Sequence, residues 1–250
     1  MKLKSKLLLA LLATSSAAFA QTAPAAPEST LSYNVGVVSE YRYRGMGQSR
    51  GDAALQGGLD YAHTNGFYAG AWGSTIKWVK DYGATEGANE LDMYAGYKFE
   101  AAGLGYDVGY LRYEYLNNNM KTVTGSNANT DEIYGAVTAG PATLKYSYSL
   151  SDLFGNANSK GSTYIDLSAT FDLGNGYSLV PHMGRQVIKN VENKAGDYSD
   201  FALTLNKDLG DGLSASISAI STTGGDFYKY SSVNYNAAKN ITVVGVKYSF

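Results

Sequence analysis

The sequence lacks cysteine, and its 250 residues include only two histidines and four prolines. Without cysteine the chain has neither disulfides nor a thiolate zinc site, and two histidines leave little for imidazole chemistry. Charged residues are also scarce, at 17%. Beyond the N-terminus no stretch approaches the ~20 apolar residues that a membrane helix needs. If the chain lies in a membrane, it must therefore cross it as strands.

The first twenty residues, MKLKSKLLLALLATSSAAFA, begin with three lysines, continue with an apolar run and end in small residues. This three-part pattern predicts a secretory signal over residues 1–20, cleaved after Ala20. A transmembrane anchor is the alternative, but the apolar run from Leu7 to Leu12 is too short for one. Residues 21–30 contain two prolines and are expected to form a flexible lead-in.

The rest of the chain, residues 31–250, is long enough for a single domain. Removal of the signal takes away three of the 20 Lys and Arg, which leaves 17 bases against 22 acids and a net charge of −5. An acidic chain of this kind is not expected to bind nucleic acid, which favours a basic face. We expect no cofactor and no metal.

Alternation of apolar and polar residues is the strongest pattern in the chain. In residues 31–44, apolar and aromatic residues recur at every second position, and small, polar or charged residues stand between most of them. Because strand side chains point alternately to opposite faces, this predicts a strand with one apolar face. The phase of the third such segment is ambiguous, because FYAGAWGST has aromatics on both faces. Twelve segments follow this pattern: 31–44, 53–63, 67–76, 90–99, 104–115, 131–140, 142–153, 162–172, 177–187, 198–208, 213–221 and 240–250.

Short and long connections alternate between these segments. The short ones include LGNG and LGDG, and Asn-Gly and Asp-Gly favour tight hairpins. A β-sandwich has no reason to place short and long connections at opposite ends. An outer-membrane barrel does, because its periplasmic turns are short and its outer loops long. The pattern therefore predicts an all-β fold: a transmembrane, antiparallel, up-and-down barrel of twelve strands in the outer membrane of a Gram-negative bacterium, reached after export to the periplasm.

Aromatic residues on the predicted outer face lie beside the short turns, as in an interfacial girdle. They are Phe99, Tyr106, Phe171, Tyr177, Tyr248 and Phe250. The final segment, NITVVGVKYSF, ends on one of them, and in a closed barrel this last strand pairs with the first. We expect its outward residues Val244, Val246, Tyr248 and Phe250 to act also as a signal for the barrel-assembly machinery.

Several stretches, VGVVSEYRYRGMGQSRGDAALQGGLDYAHTNGFYAGAWGS, ELDMYAGYKFE, YDVGYLRYEY and YSLSDLFG, occur together. In this combination the chain resembles the proteobacterial TorF-type porins, formerly catalogued as conserved hypothetical outer-membrane proteins. The resemblance covers most of residues 31–172 and is weaker after them, apart from the terminal strand. It implies an outer-membrane barrel and carries over no catalytic residue.

Charged residues on the predicted inward faces form the candidate site. The predicted pore-lining residues are Glu40, Arg42, Arg44, Asp60, Glu90, Asp92, Lys98, Asp107, Glu132, Lys145, Asp166 and His182. With Asp172 and Asp200, nine inward acids face four fixed bases, which favours cations. The alternative is that these charges pair across the interior and plug it. Arg42 and Arg44 form either a basic patch for anionic solutes or, as we favour, struts paired with Glu40 and Asp60.

These observations predict a narrow channel for passive diffusion of small hydrophilic solutes or ions, with weak cation preference. The alternative is a largely plugged structural or adhesive barrel that acts through its outer loops, such as the aromatic-rich loop 222–239. Catalysis is not expected, because His63 falls in a short turn and His182 lies mid-strand beside Pro181. We expect contacts with outer-membrane lipid, and a monomer rather than a trimer.

Overall fold

A computed structural model describes residues 27–250 of the chain. The predicted signal and most of the predicted lead-in lie outside these residues. Twelve long strands form one sheet, numbered in chain order. They are β1 (Ser29–Val38), β2 (Ala54–His63), β3 (Phe67–Thr75), β4 (Asn89–Ala101), β5 (Leu104–Tyr115), β6 (Thr130–Ala139), β7 (Ala142–Ser149), β8 (Thr163–Ala169, continued by Phe171–Gly174), β9 (Tyr177–Val187), β10 (Tyr198–Gly210), β11 (Leu213–Thr222) and β12 (Ile241–Ser249).

Each strand pairs antiparallel with its neighbours in sequence, and β1 pairs with β12 to close the sheet. Val35 of β1 lies opposite Tyr248 of β12 at this seam. Closure pairs Asn34–Val38 of β1 with Gly245–Ser249 of β12, so the sheet does not end in an open edge along this seam. The predicted closed, antiparallel barrel of twelve strands is confirmed.

The phase of the alternation agrees with the sequence pattern. On β1, the apolar residues Leu31, Tyr33, Val35 and Val37 point outward and leave 41–54% of their surface exposed. Because a shift of one residue would turn all of them inward, this apolar face fixes the register of the sheet. The aromatics predicted beside the turns follow the same face, and the rings of Phe99 and Tyr106 stack with their centroids 5.0 Å apart.

The structure resolves the ambiguous phase of β3. Phe67 points outward with 43% of its surface exposed. Tyr68 and Trp72 point inward, where the Tyr68 hydroxyl donates a hydrogen bond to Asp107 and Trp72 packs edge-on against Tyr41. Phe67 therefore faces the outer surface of the barrel, whereas Tyr68 and Trp72 face its interior.

All short connections lie at one end of the barrel, here called the turn end. Two of them are Asn-Gly and Asp-Gly pairs, Asn175–Gly176 and Asp211–Gly212, in which all four residues have positive φ. Such two-residue turns match the twist of the flanking strands. The long connections lie at the opposite end, here called the loop end. They span residues 39–53, 76–88, 116–129, 150–162, 188–197 and 223–240.

The long loops fold into the barrel and carry its helices. These are α1 (Trp78–Asp81), α2 (Lys121–Thr124) and three 3-10 turns, Glu192–Lys194, Asp226–Tyr228 and Ser231–Val233. None of the helices within residues 27–250 is long and apolar enough to cross a membrane. Two small hairpins also form in the loops: Arg42–Tyr43 with Met46–Gly47, and Lys229–Tyr230 with Tyr235–Asn236.

The buried apolar core lies between these loops and the inner wall at the loop end. One cluster joins Trp78 and Val79 of α1 to Tyr113 and Tyr115 of β5 and to Met120. A second cluster joins loop 223–240 to Met46 and Tyr198, and includes Tyr228 and Tyr235. The barrel thus has its apolar belt outside and a loop-filled interior at one end only.

Two strands end earlier than the alternation predicts. The first ends at Val38 and not at Arg44, and the seventh ends at Ser149 and not at residue 153. Residues 39–44 leave the sheet because Glu40, Arg42 and Arg44 bind partners inside the barrel. The prediction that both arginines lie on the first strand is therefore wrong.

Candidate pore and its constriction

The hairpin of residues 42–47 crosses the interior of the barrel. Its tip is formed by Arg44 (φ 45°) and Gly45 (φ 76°), the two positive angles of a tight turn. A methyl group on Gly45 would lie 2.6 Å from Cβ of Asp200 on β10. The tip therefore approaches β10, three strands from β1 around the barrel, so closely that only glycine fits at this position.

Arg44 is held on three sides. Its guanidinium makes a two-pronged contact with the Glu132 carboxylate, at 2.8 and 3.0 Å, and donates to Gln186 Oε1 at 3.0 Å. It also lies 4.3 Å from the ring centroid of Tyr164. Burial lowers the pKa of Arg44, but the interactions with Glu132, Tyr43 and Tyr113 together outweigh it, so the pKa lies above its ordinary value. This buried, charge-assisted pair joins the hairpin to β6, and the hydrogen bond to Gln186 joins it to β9.

Arg42 ties the same hairpin to the last loop. It donates twice to Glu40 Oε2, at 2.8 and 3.0 Å, and to the backbone oxygens of Gly45, Ala237 and Lys239. The other oxygen of Glu40 accepts from the Tyr235 hydroxyl and from the Gly51 N–H. Burial, followed by the contact with Glu40, raises the pKa of Tyr235, so its hydroxyl remains a donor.

The pairing of the two arginines differs in part from the expected struts. Arg42 does pair with Glu40, but Arg44 pairs with Glu132 and not with Asp60. Asp60 instead accepts from the hydroxyl of Tyr94. Both guanidinium groups are occupied by protein acceptors, which leaves them poorly suited to recruit an anionic solute.

Tyrosines line the wall from β3 to β6 and hold the charged groups beside them. The Tyr68 hydroxyl donates to Asp107 at 2.6 Å and contacts the Tyr134 hydroxyl. Lys98 lies 4.8 Å from the Tyr68 ring centroid, and Lys145 lies 3.8 Å from that of Tyr134. These contacts attract each ammonium to an aromatic face. The charge pattern of the sequence did not indicate these tyrosines.

Each of these rings lies over a glycine on the neighbouring strand. Tyr94 is paired with Gly70, Tyr68 with Gly96 and Tyr134 with Gly109. A methyl group on Gly70 would lie 2.6 Å from the Tyr94 ring. Because glycine has no side chain, the rings lie along the wall and do not project across the lumen. The signal in the sequence is the recurrence of glycine and tyrosine on the inward faces.

His182 forms the centre of a polar cluster on β8–β10. Its Nε2 lies 2.5 Å from Asp166, and its Nδ1 lies 3.5 Å from Asp200. The Tyr164 hydroxyl donates to Asp200 at 3.0 Å. The structure therefore brings the predicted His182 and Asp166 together, with Tyr164 as a partner that the sequence pattern did not indicate.

Glu90 and Asp92 lie two residues apart on the inward face of β4 and are both buried. Glu90 accepts from the Tyr41 hydroxyl at 3.5 Å, while one oxygen of each carboxyl group lacks a hydrogen-bond partner. Between residues 27 and 250, no group of three or more Asp, Glu or His side chains is arranged to hold a metal. Among the other predicted inward acids, Glu40, Glu132 and Asp200 are also buried.

Towards the turn end the lumen is lined by short polar side chains. Thr204 of β10 and Ser218 of β11 share a hydrogen bond of 2.7 Å across the wall. Lys247 of β12 has the inward phase and is a base that the predicted set omitted. The predicted residues thus fall into two levels: a loop-end constriction around Arg44, and a polar wall below it.

The fold has solved relatives among porins. The KdgM porin matches with a TM-score of 0.52 at 10% identity, over 89% of this chain and 99% of that one. A structure of the KdgM porin in complex with disordered oligogalacturonate gives the same TM-score at 9% identity and the same coverage. The NanC porin matches with a TM-score of 0.54 at 13% identity, over 88% of this chain and 99% of that one. At these identities the likeness shows the fold alone.

Comparison by sequence gives a more specific result than comparison by structure. No curated protein matches it. A family model described as a bacterial protein of unknown function, Gcw_chp, matches residues 21–250. The match covers most of the chain and includes every strand of the barrel, and the chain therefore belongs to the Gcw_chp family.

Proposed function

We propose that the protein is a narrow porin-like channel of the outer membrane, through which small hydrophilic solutes or ions diffuse passively. Three features support this proposal. The outer face of the barrel is an apolar belt with aromatics beside its turns, the inner face is polar, and the fold is shared with the KdgM and NanC porins. Insertion by the barrel-assembly machinery, function as a monomer and the TorF-type assignment belong to the same proposal.

The observation that carries the proposal is the constriction around Arg44. A polar hairpin, held by the Arg44–Glu132 pair, stands between the loop end and a wall of short polar side chains. Because the loops fill the interior only at the loop end, they leave the polar wall below the hairpin uncovered. The hairpin narrows the lumen, and its polar groups offer water and ions a hydrogen-bonding surface.

Weak cation preference follows from the way the charges are distributed. Glu40 and Glu132 are paired with the two arginines, whereas Asp60 and Asp107 accept hydrogen bonds from the hydroxyls of Tyr94 and Tyr68. The free bases on the inner wall are outnumbered by the remaining acids, even when Lys247 is added to Lys98 and Lys145. An excess of acid in a narrow lumen raises the local concentration of cations.

Reconstitution of the purified barrel into a planar bilayer tests the proposal. We expect discrete conductance steps and, in a salt gradient, a reversal potential of the sign that marks cation preference. An anion-selective channel would refute only the charge argument and would leave the channel proposal standing. A complete lack of conductance would refute the channel.

The second candidate is a plugged structural barrel, and the apolar loop clusters favour it. Loop 223–240 packs Tyr228 and Tyr235 into the interior, where the Tyr228 hydroxyl donates to the Gly196 oxygen at 2.5 Å. If this candidate is correct, conductance stays absent even when the Arg44–Glu132 pair is broken. If the channel proposal is correct, breaking the pair increases the conductance.

A further inference from the structure

Two acids on the inward face of β4, Glu90 and Asp92, lie side by side near the loop end of the barrel, and we call them the acid pair. Their surfaces are only 3% and 9% exposed. The two carboxyl groups lie within hydrogen-bonding reach of each other. One oxygen of each, Oε2 of Glu90 and Oδ1 of Asp92, has no hydrogen-bond partner among residues 27–250. Because a buried oxygen without a partner is costly, the acid pair needs a partner that these residues do not supply.

No base neutralises the acid pair within the part of the chain that the structure describes. No ion pair there includes either acid. Glu132 of β6 lies close enough to act on Asp92, but it adds negative charge and is itself bound by Arg44. The neighbouring strand β3 contributes Trp72 and Ser74, which do not titrate. The titratable neighbours on β5 and in residues 39–44 are the tyrosines Tyr41, Tyr43, Tyr113 and Tyr115.

A proton supplies what the acid pair lacks. Two carboxylates this close repel each other strongly in a low-dielectric interior, so both are not ionised without a counter-charge. An ionised carboxylate only accepts hydrogen bonds, and two carboxyl groups can bond to each other only when one of them carries a proton. One proton, exchanged with water, therefore removes the repulsion and provides the missing hydrogen bond. A metal ion is the alternative, but within residues 27–250 no third acid or histidine is placed to complete such a site.

We propose that Glu90 and Asp92 bind one proton between them, and that this proton holds in place the segment that leads from β1 into the 42–47 hairpin. The segment lies directly on the acid pair. The Tyr41 hydroxyl donates to Glu90 Oε1 at 3.5 Å. The Tyr41 ring packs edge-on against Trp72, which is the cross-strand neighbour of Asp92 on β3. Farther along the segment, the hydroxyl of Tyr43 contacts that of Tyr113, the cross-strand neighbour of Asp92 on β5.

Loss of the proton at alkaline pH leaves two buried carboxylates facing each other. Their repulsion is relieved when one side chain turns away or when water enters, and either movement disturbs the surface on which Tyr41 lies. The Arg44–Glu132 pair then holds the hairpin without support at its base. The folded barrel binds a proton here that exposed acids of an unfolded chain release below neutral pH, so this contribution to stability falls as the pH rises. We therefore expect the hairpin to loosen and the lumen to widen in alkali.

Infrared spectroscopy detects the proton directly, because a protonated carboxyl group has a carbonyl stretching band that an ionised carboxylate lacks. The sample is the barrel in a detergent without ester groups. We expect such a band at neutral pH and its loss by about pH 9, where buried acids are known to ionise. Glu90→Gln and Asp92→Asn should each lack it at neutral pH, because the new amide donates to the remaining carboxylate. Glu100→Gln is the matched control, since Glu100 lies on the same face of β4 but is exposed near the turn end, and it should keep the band.

A second measurement tests whether the proton holds the segment. Glu90→Gln keeps an oxygen for Tyr41 and donates to Asp92 at every pH, so it imitates the protonated pair permanently. Between about pH 6 and about pH 9, the temperature at which the folded barrel is lost should fall in the unaltered chain and in Glu100→Gln. Over the same range the conductance of both should rise. Both changes should be reduced in Glu90→Gln.

The inference rests on the proposed function only where conductance is measured, and the outcomes separate the two. A band that depends on Glu90 and Asp92, with a pH-dependent loss of the fold but no conductance, would support the inference and refute the channel. Conductance without such a band would leave the channel standing and overturn the inference. A band whose loss changes neither the temperature nor the conductance would overturn the role in holding the segment. A band that forms only after a chelator is added would show that a cation takes the place of the proton, and would also overturn the inference.

Discussion

Tyr33 of β1 and the terminal Phe250 exchange two backbone hydrogen bonds, both of 2.9 Å, and their rings stack with centroids 5.7 Å apart. The contact extends the β1–β12 ladder past the last residue of β12. Phe250 also stacks on Tyr248 at 5.7 Å and leaves 65% of its surface exposed on the outer face. The terminal ring thus has a place at the seam, yet little of it is covered by protein.

We predict that Phe250→Ser sharply lowers the amount of barrel in the outer membrane. The finished barrel should keep nearly normal heat resistance, because moving one Phe side chain out of an apolar setting costs only ~1.5–3 kcal/mol. A recognition signal would act earlier, on the yield of assembly. Immunoblots of outer-membrane fractions, with boiled and unboiled samples, measure both quantities.

Ser249→Ala is the control for this prediction, since Ser249 is adjacent and has the opposite phase. It should leave yield and heat resistance unchanged. If Phe250→Ser reaches the membrane at the level of the unaltered chain, the terminal aromatic is only a packing residue and the assembly role is excluded.

The second prediction compares two neighbouring acids on β6, one in a buried ion pair and the other in an exposed one. Glu132 forms its ion pair inside the barrel, where the two side chains are 7% and 3% exposed. Asp131 forms one with Arg112 on the outer face, where they are 32% and 23% exposed. Breaking a buried pair costs ~3–5 kcal/mol, whereas an exposed pair contributes ~0–1 kcal/mol. Glu132→Gln should therefore release the hairpin, and Asp131→Asn should not.

Two quantities are measured for Glu132→Gln and Asp131→Asn. One is the single-channel conductance, and the other is the temperature above which the protein no longer migrates in a gel as the compact, folded form. Glu132→Gln should increase the conductance and lower that temperature. Asp131→Asn should match the unaltered chain in both. Equal conductance in all three proteins would show that the hairpin does not set the width of the pore.

Asp166 provides a test of ion selectivity. It lies on the inner wall with its side chain 22% exposed, beside His182. Asp166→Asn should reduce the cation preference, because it removes one acid from the lumen without changing the size of the side chain. Asp226→Asn is the control, since the Asp226 side chain is 90% exposed in a loop. Reversal potentials in a salt gradient compare the variants, and an unchanged value for Asp166→Asn would contradict the assignment of Asp166 to the conducting path.

The glycines beneath the tyrosine rings give a stability prediction. A methyl group on Gly96 would lie 2.6 Å from the backbone oxygen of Val108 and would also meet Tyr68, whereas one on Gly135 would meet nothing within 4 Å. Gly96→Ala should cost ~1–3 kcal/mol, as overpacking does, and should push Tyr68 into the lumen. Gly135→Ala should be close to neutral. Heat-modified mobility measures the loss of stability, and conductance measures the displacement of Tyr68. A stable Gly96→Ala barrel of normal conductance would refute the packing argument.

The sequence was sufficient for the strands because a period of two is a local property. Each strand displays its apolar face within some ten residues, and the short turns carry their own signals, such as Asn175–Gly176. Strand number, closure and the outward phase of Leu31 and Val35 followed from this pattern. The phase of β3 did not, because its outcome depends on Asp107 and Tyr41, which lie far from it in sequence.

The constriction was predictable only in part, for a related reason. Residues 39–44 continue the alternation of β1, so nothing local marks the end of the strand at Val38. What removes them from the sheet is a set of distant partners, among them Glu132 for Arg44. The sequence identified the charged residues of the interior, and even the Arg42–Glu40 pair, but it did not show that Arg44 crosses the lumen.

The partners of the 42–47 hairpin are spread along the whole chain, and this has a consequence for assembly. Arg44 binds residues 88 and 142 positions away, Glu40 binds Tyr235 at 195 and Arg42 binds Lys239 at 197. Contacts of such high sequence separation form late, because most of the loop-closure entropy must be lost first. The most distant of these anchors, Tyr235 and Lys239, immediately precede β12, the strand that completes the ladder. We therefore expect closure of the ladder and occlusion of the interior to finish together, so that no closed cylinder without its internal hairpin accumulates during assembly.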